Sequence, residues 1–172
     1  MKTIDVTERV VEGRNVLAVR LTLRSPTDGI TDRLKLIGRF GVARGEDGSY
    51  GIVRPVEAVK PASWTEQGYP FYSGVGIYRT RFSLPEEFAG YSITLESNAG
   101  DDVLEVVVNG SPSGVRLWPP YTVDVTSAVH EGENSIELRV ANTPANLLNA
   151  EERASGLSEA PRLVAYRQDE AK

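Results

Sequence analysis

The 172-residue chain contains no cysteine, which excludes disulfide bonds and thiolate metal sites. Its single histidine, His130, precedes a Glu-Gly turn, and no catalytic triad or metal cluster accompanies it. We expect a turn residue there rather than a general base. No apolar run approaches the ~20 residues that a membrane-spanning helix needs. The N-terminus shows no signal-peptide core. The compartment stays open, and an extracellular or periplasmic parent protein is compatible with the sequence.

The chain also has a deficit of positive charge. It carries 19 Lys and Arg against 24 Asp and Glu, a net charge of −5. Nucleic-acid phosphates require a basic face, so we expect no nucleic acid among the partners. The lack of a long apolar run predicts that a membrane is not a partner either. A neutral ligand remains open. The hydrophobic content of 40% is enough for a buried core.

The sequence does contain alternation with a period of two, which is typical of strands with one buried face. Aliphatic residues alternate with mostly polar ones over residues 16–24 and predict a half-buried strand there. The aliphatic positions of that stretch are Leu17, Val19, Leu21 and Leu23. The same pattern recurs around residues 76–84, 91–95, 104–108 and 136–140. Turn signals such as Asn109-Gly110 separate these runs, and together they predict an all-β antiparallel sandwich.

One region favours a helix. Residues 144–153 begin with Pro144, which suits the first helical position, and continue with good helix formers that end before Gly156. We expect one or two helical turns there. This helix lies in the connection over residues 142–161, which is longer than ordinary loops and in that respect typical of functional segments.

A short motif occurs twice, at a constant spacing of 119 residues. The first copy contains Asp5-Val6-Thr7, Glu12-Gly13 and Asn15, and the second contains Asp124-Val125-Thr126, Glu131-Gly132 and Asn134. The second copy follows strands with which it can pair, whereas only residues 1–4 precede the first. We therefore predict that residues 1–29 are the tail of an upstream copy and that residues 30–172 form the sandwich domain. Pairing of the N-terminal strand in a homodimer is left open.

Several motifs together resemble a known family. They are Tyr78-Arg79-Thr80-Arg81-Phe82, Glu105-Val106-Val107-Val108-Asn109-Gly110, Val123-Asp124-Val125-Thr126 and Glu131-Gly132-Glu133-Asn134. In this order they resemble the sugar-binding domain of family 2 glycoside hydrolases, which implies a jelly-roll sandwich of the galactose-binding-like type. Residues 36–42 and 64–74, with Asn142-Thr143, Asn146 and Ser155-Gly156-Leu157, resemble the C-terminal accessory domain of large bacterial glycoside hydrolases, including α-L-rhamnosidase-like enzymes.

The resemblance implies a non-catalytic carbohydrate-binding or accessory domain of a glycoside hydrolase. Its partner is then a carbohydrate or the catalytic domain of the parent enzyme. Protein sugar sites combine an aromatic face with a few amide, guanidinium or carboxylate groups. The candidate ligand-binding residues are Trp64, Glu66, Gln67, Tyr69, Tyr72, Arg116, Trp118 and Asn146. The alternative is that the aromatics plug one edge of the sandwich as ordinary core. The domain is then a purely structural interdomain module.

Glycoside hydrolysis needs two carboxyl groups that face one site. Most available acids lie in turns or in the repeated motif, so we assign no catalytic residue and do not expect the isolated chain to be an enzyme. A contribution to a parent active site is the less favoured alternative. We assign no metal ligand and expect no cofactor. A structural calcium at residues 98–102 is left open, although an Asx turn is the commoner outcome of such a sequence.

Overall fold

The computed structural model describes residues 3–167. The chain divides into two units, Met1–Gly38 and Arg39–Lys172. Within residues 3–167, no helix combines the length and the apolar character that crossing a membrane requires.

The N-terminal unit has little regular structure. Its described residues contain one turn of 3-10 helix, Thr7–Arg9, and no strand. The prediction of a half-buried strand over residues 16–24 is therefore wrong for this unit: the aliphatic side chains of this stretch are exposed, Val19 at 49% and Leu17 at 69%. The physical reason is that a strand needs a neighbour to complete its backbone hydrogen bonds, and the described part of this unit offers none.

The second unit is an antiparallel β-sandwich, as the alternation predicts. Its strands are β1 (Gly41–Arg44), β2 (Tyr50–Val53), β3 (Val75–Leu84), β4 (Tyr91–Ser97), β5 (Val103–Val108), β6 (Ser111–Arg116), β7 (Tyr121–Asp124), β8 (Gly132–Ala141) and β9 (Arg162–Arg167). One sheet has the order β3-β8-β5-β6 and the other β7-β4-β9, while β1 and β2 form a separate pair. All pairings are antiparallel.

The core takes one face from each of these two sheets. Its central residues are Leu104, Val106 and Val108 of β5, Ile136, Leu138 and Val140 of β8, Ile93 and Leu95 of β4, and Val123 of β7. All of them are at most 6% exposed. The period-two alternation therefore identified the inward face of these strands correctly.

The predicted short helix is confirmed as α1, Ala145–Asn149, directly after Pro144. It ends five residues after it begins because Ala150 adopts a left-handed conformation with φ of 54°. Such a residue ends an α-helix.

The closing motif organises the turn before β8. Asn134 is 2% exposed. Its Oδ1 accepts the N–H of His130 at 3.0 Å, and its Nδ2 donates to the carbonyl oxygens of His130 at 2.7 Å and Gly132 at 2.9 Å. Asn109, which has a positive φ of 49° in the turn between β5 and β6, donates from Nδ2 to Asn134 Oδ1 at 2.8 Å. The motif therefore ties two turns together, and His130 is an exposed turn residue.

Candidate functional site

A cavity of about 590 Å³ lies beside β3, the edge strand of the four-stranded sheet. We call it the β3 cavity. Its lining is mostly apolar and aromatic, with a few polar groups, and includes Val56, Glu57, Trp64, Tyr69, Tyr72, Tyr78 and Arg79. This volume and lining are typical of small-molecule sites, which span roughly 300–1,000 Å³.

Trp64 contributes a buried wall of the β3 cavity. It begins the 3-10 helix Trp64–Gln67, and its side chain is 2% exposed. The backbone N–H of Trp64 donates to the carbonyl of Ser155 at 3.0 Å, which anchors this helix to the long connection before β9. Its indole Nε1 is buried without a hydrogen-bond partner in the part of the chain that the structure describes. Because the side chain is buried, the ring of Trp64 mainly supports the rings that pack on it.

Tyr69 and Tyr72 extend from this support. The rings of Trp64 and Tyr72 meet edge to face with centroids 5.6 Å apart, and those of Tyr69 and Tyr72 are 6.2 Å apart. The Tyr72 hydroxyl donates to the carbonyl of Val75 at 3.1 Å, and the Tyr69 hydroxyl to that of Val56 at 3.3 Å. These hydroxyl bonds fix the two rings at their tips. Tyr72 is also 40% exposed, so its ring is a fixed aromatic surface that solvent can reach.

Two charged residues line the same cavity, Glu57 and Arg79. Arg79 Nε donates to Glu137 Oε2 at 2.5 Å, and the other oxygen of Glu137 accepts Arg139 Nε at 2.5 Å. The hydrogen bonds from Arg139 and then Arg79 lower the pKa of the Glu137 carboxyl. The ion pair with Glu137 therefore holds the side chain of Arg79 against β8.

The structure brings together three of the eight predicted ligand residues, since Trp64, Tyr69 and Tyr72 share the β3 cavity. Glu66 is exposed and does not line it. Two predicted amides are used internally. Gln67 Oε1 accepts the N–H of Lys60 at 2.8 Å, and its Nε2 donates to the carbonyls of residues 60, 62 and 63.

The second amide is Asn146, which is 1% exposed and donates from Nδ2 to the carbonyl of Arg153 at 2.9 Å. In this structure both amides hold loops, and neither lines the β3 cavity. The sequence reasoning missed Glu57 and Arg79 as lining residues. Arg79 looks like an ordinary solvent-facing residue of an alternating strand, and Glu57 lies in an irregular segment without any pattern.

Arg116 and Trp118 lie elsewhere, at the end of β6 and in the loop that follows it. Arg116 Nε donates to the carbonyl of Thr122 at 2.7 Å, so the guanidinium braces the start of β7. Trp118 is 69% exposed, and its neighbours Leu117 and Val115 are 56% and 51% exposed. We call these three exposed apolar residues, which lie close together in sequence, the Trp118 patch. None of them lines the β3 cavity.

In the acidic turn over residues 98–102, side-chain oxygens of Asn98 and Asp102 accept hydrogen bonds from the protein's own backbone. Asn98 Oδ1 accepts the N–H of Gly100 at 3.0 Å, which is the Asx turn that such a sequence favours. Asp102 is 4% exposed, and its Oδ2 accepts the N–H of Gly156 at 2.8 Å. Burial raises the pKa of the Asp102 carboxyl. Within residues 3–167, no group of three or more His, Cys, Asp or Glu residues is arranged to hold a metal ion.

Comparison with known proteins gives partial matches. No family model matches the chain. It is 31% identical over 96 residues to a protein of Formosa agariphila with the provisional name β-glucuronidase, a match that covers 53% of this chain and 8% of that protein. A rhamnosidase from Novosphingobium sp. PP1Y matches in structure with a TM-score of 0.50 and 26% identity, over 84% of this chain and 16% of that one.

The chain resembles segments of large glycoside hydrolases. It spans 8% of the first relative's length and 16% of the second's. A β-glucuronidase from Ruminococcus gnavus, solved with D-glucuronic acid, matches with a TM-score of 0.53 over 64% of this chain and 24% of that one. At 20% identity this likeness shows the fold alone. The similarity to a part of such enzymes agrees with the accessory-domain resemblance of the sequence motifs.

Proposed function

We propose that the unit Arg39–Lys172 is a non-catalytic carbohydrate-binding accessory domain of a glycoside hydrolase, with the β3 cavity as its sugar site. The observation that carries the proposal is the presence in one cavity of a fixed, partly exposed Tyr72 ring together with Glu57 and Arg79. Its partners are a carbohydrate in this cavity and the catalytic domain of the parent enzyme.

The chemistry of the β3 cavity matches that of a pyranose. A sugar ring has an apolar C–H face and a rim of hydroxyl groups, and the exposed ring of Tyr72 offers a surface for the apolar face. Glu57 can accept hydrogen bonds from hydroxyl groups. Arg79 can donate, because a guanidinium has five N–H donors and the bond to Glu137 uses one of them.

The proposal of a non-catalytic role rests on the acids of the cavity. Glycosidases place two carboxyl groups roughly 5–10 Å apart around the scissile bond. Among the described residues that line the β3 cavity, Glu57 is the one carboxylic acid. This supports binding over hydrolysis, and it disfavours the alternative in which the chain supplies part of an active site.

The relatives suggest which ligands to test first. Their names include β-glucuronidase and rhamnosidase, so oligosaccharides that contain glucuronic acid or rhamnose are the first probes. A uronic acid carries a carboxylate, and Arg79 is a suitable partner because guanidinium and carboxylate form paired, charge-assisted hydrogen bonds. We therefore expect a glucuronic-acid oligosaccharide to bind more tightly than its neutral glucose counterpart.

Calorimetric titration of the full chain with these oligosaccharides tests the proposal. Tyr72→Ala and Glu57→Gln should each weaken binding, with Tyr72→Ala costing at least about tenfold in Kd, or about 1.4 kcal/mol. Trp118→Ala is the matched control, since it removes an aromatic side chain outside the cavity and should leave Kd unchanged. Circular dichroism checks that each variant is folded. Lack of binding by the folded chain, or loss of binding in Trp118→Ala alone, contradicts the proposal.

A second candidate is the structural interdomain module that touches no sugar. The observation that favours it is the Trp118 patch, because three large apolar side chains exposed in one short segment are a candidate protein contact surface. In that case Trp118→Ala should weaken the attachment of this unit to the catalytic domain of a parent enzyme. Limited proteolysis of the parent enzyme, with and without the substitution, would measure this attachment.

A further inference from the structure

We propose that residues 3–24 form the closing segment of a second antiparallel β-sandwich, whose other strands come from an upstream stretch of the same polypeptide. This N-terminal closing segment is then an interaction surface, and its partner is a sandwich that lacks the strand corresponding to β8.

The Asp-Val-Thr turns of the two copies have the same hydrogen bonds. Asp5 Oδ1 accepts the backbone N–H of Thr7 at 2.9 Å and its hydroxyl at 2.7 Å. Asp124 Oδ1 accepts the same two groups of Thr126 at 2.9 Å and 2.6 Å. In both cases these bonds lower the pKa of the aspartate. The local structure is therefore encoded twice.

The asparagine that leads into the closing strand also repeats. Asn15 Oδ1 accepts the N–H of Val11 at 2.9 Å, and its Nδ2 donates to the carbonyls of Val11 at 2.8 Å and Gly13 at 3.0 Å. Asn134 makes the same three bonds to His130 and Gly132. The first copy has thus formed the complete turn that precedes β8 in the second.

The copies differ in their long-range bonds. Thr126 Oγ1 accepts the N–H of Ile93 at 2.8 Å, and the N–H of Val125 donates to the carbonyl of Ile93 at 2.9 Å. Asn134 Oδ1 accepts Asn109 Nδ2 at 2.8 Å. In the described residues of the unit Met1–Gly38, no strand exists to offer the equivalents of Ile93 and Asn109. The first copy therefore has the sequence of the turn and of the strand that follows it, but the described part of its unit has no sheet with which that strand can pair.

The apolar face of the N-terminal closing segment corresponds to the inner face of β8. At the spacing of 119 residues, Leu17, Val19 and Leu21 take the positions of Ile136, Leu138 and Val140. The first three side chains are 69%, 49% and 50% exposed, and the second three are 6%, 2% and 0% exposed. Ile4, at the position of the buried Val123, is 71% exposed. The apolar side chains whose equivalents are buried in the second copy are therefore exposed to solvent in the first.

The required partner can be described from the neighbours of β8. It presents two strands that run in the same direction with a gap between them, because β8 pairs antiparallel over ten positions with β3 and over six with β5. One of these strands ends in an Asn-Gly turn whose asparagine takes the role of Asn109. Another copy of this chain does not offer the gap, because β8 already fills it. The spacing of 119 residues places the expected asparagine eleven residues before Met1.

The first test is the sequence of the gene upstream of the codon for Met1. The proposal expects the reading frame to continue upstream of Met1 and to encode an Asn-Gly turn close to that position. A reading frame that begins at Met1 would overturn the proposal.

The second test is hydrogen exchange on this chain and on a polypeptide extended upstream by about 120 residues of its own gene. We expect the amides of residues 16–23 to exchange freely in the 172-residue chain and to be as protected as those of residues 135–142 in the extended one. Free exchange in both overturns the proposal. So does protection in the 172-residue chain that grows with concentration alongside a dimer, since the partner is then a second copy.

Two substitutions distinguish the pairing of a specific strand from non-specific association. In the extended polypeptide, Val19→Asp should abolish the protection of residues 16–23, because its side chain points to the proposed core. Thr22→Asp is the control at the position of the half-buried Ala141, on the opposite face, and should retain the protection. Equal effects of the two would overturn the proposal. In the 172-residue chain, neither should change the unfolding midpoint of the unit Arg39–Lys172.

Discussion

The indole of Trp64 packs so closely on Gly76 that a Cβ at Gly76 would lie 2.2 Å from Cζ3 of the ring. Gly76 is the second residue of the edge strand β3, and the ring occupies the space that a side chain at this position would fill. The side chain that supports Tyr69 and Tyr72 thus depends on a glycine in the sheet.

Gly76→Ala should destabilise the protein by about 1–3 kcal/mol, the usual cost of overpacking a filled core. The added methyl group cannot avoid the ring without moving Trp64 or β3. Gly51→Ala in β2 is the control, because nothing lies within 4 Å of a Cβ there, and its effect should stay within about 0.5 kcal/mol. Urea unfolding measures both. Equal unfolding free energies for the two variants would contradict the packing.

Asn134→Ala should lower the free energy of unfolding by about 1–3 kcal/mol, since it removes the buried amide that bonds the N–H and carbonyl of His130 and the carbonyl of Gly132 in the turn before β8. Asn15→Ala removes the same three bonds from the exposed first copy. Its effect on this chain should stay within about 0.5 kcal/mol. Thermal unfolding of both variants checks the difference, and an equal loss would mean that the two copies are equally well packed.

Asp102→Asn should flatten the dependence of stability on pH. Burial raises the pKa of the Asp102 carboxyl in the folded state above its ordinary 3.8, so the folded protein keeps the proton to higher pH than the unfolded chain does. Stability therefore falls as pH rises from 3.8 through the folded-state pKa. Asparagine carries no charge and still accepts the N–H of Gly156, so it removes this loss.

At pH 7 we expect Asp102→Asn to be at least as stable as the wild-type chain. Asp102→Ala should be less stable by about 1–3 kcal/mol, because the buried N–H of Gly156 then lacks an acceptor. Melting temperatures measured from pH 4 to pH 7 distinguish the three proteins. If both variants lose the same stability at pH 7, the bond to Gly156 needs the charge of the carboxylate and the argument from burial fails.

The two tryptophans should give separable fluorescence signals. Trp64 is 2% exposed and Trp118 is 69% exposed, so iodide should quench Trp118 and leave Trp64 largely unaffected. Trp118→Phe is expected to remove the quenchable, red-shifted component, and Trp64→Phe to leave that component alone. Quenching titrations measure this. A strongly quenched Trp118→Phe protein would show that Trp64 is accessible in solution.

Much of the sandwich could be predicted from the sequence because its strands carry their own signals. The alternation in β5 and β8 and the Asn109-Gly110 turn depend on local rules of strand geometry. The same rules predicted a strand over residues 16–24, and there they failed. A period-two pattern describes which face a strand would bury, but the formation of the strand depends on a neighbour that the local sequence does not specify.

The site was harder to predict because the type of a residue does not determine which way its side chain points. Trp64 and Trp118 are chemically identical, yet one lies under the β3 cavity and the other is exposed in a loop. Gln67 and Asn146 have the chemistry of sugar ligands, and the chain uses both to hold its own backbone. Hydrogen bonds of this kind join segments of irregular structure, for which no periodic pattern exists.

The uncovered face of residues 17–21 also matters for handling the protein. A run of alternating aliphatic residues without a sheet partner is a template for pairing with other molecules, which is how aggregation through unpaired strands begins. The sandwich keeps its own equivalent face covered inside β8. We therefore expect a shorter chain that begins at Arg39 to form less non-specific aggregate than the 172-residue chain when both are concentrated, with no defined dimer in either.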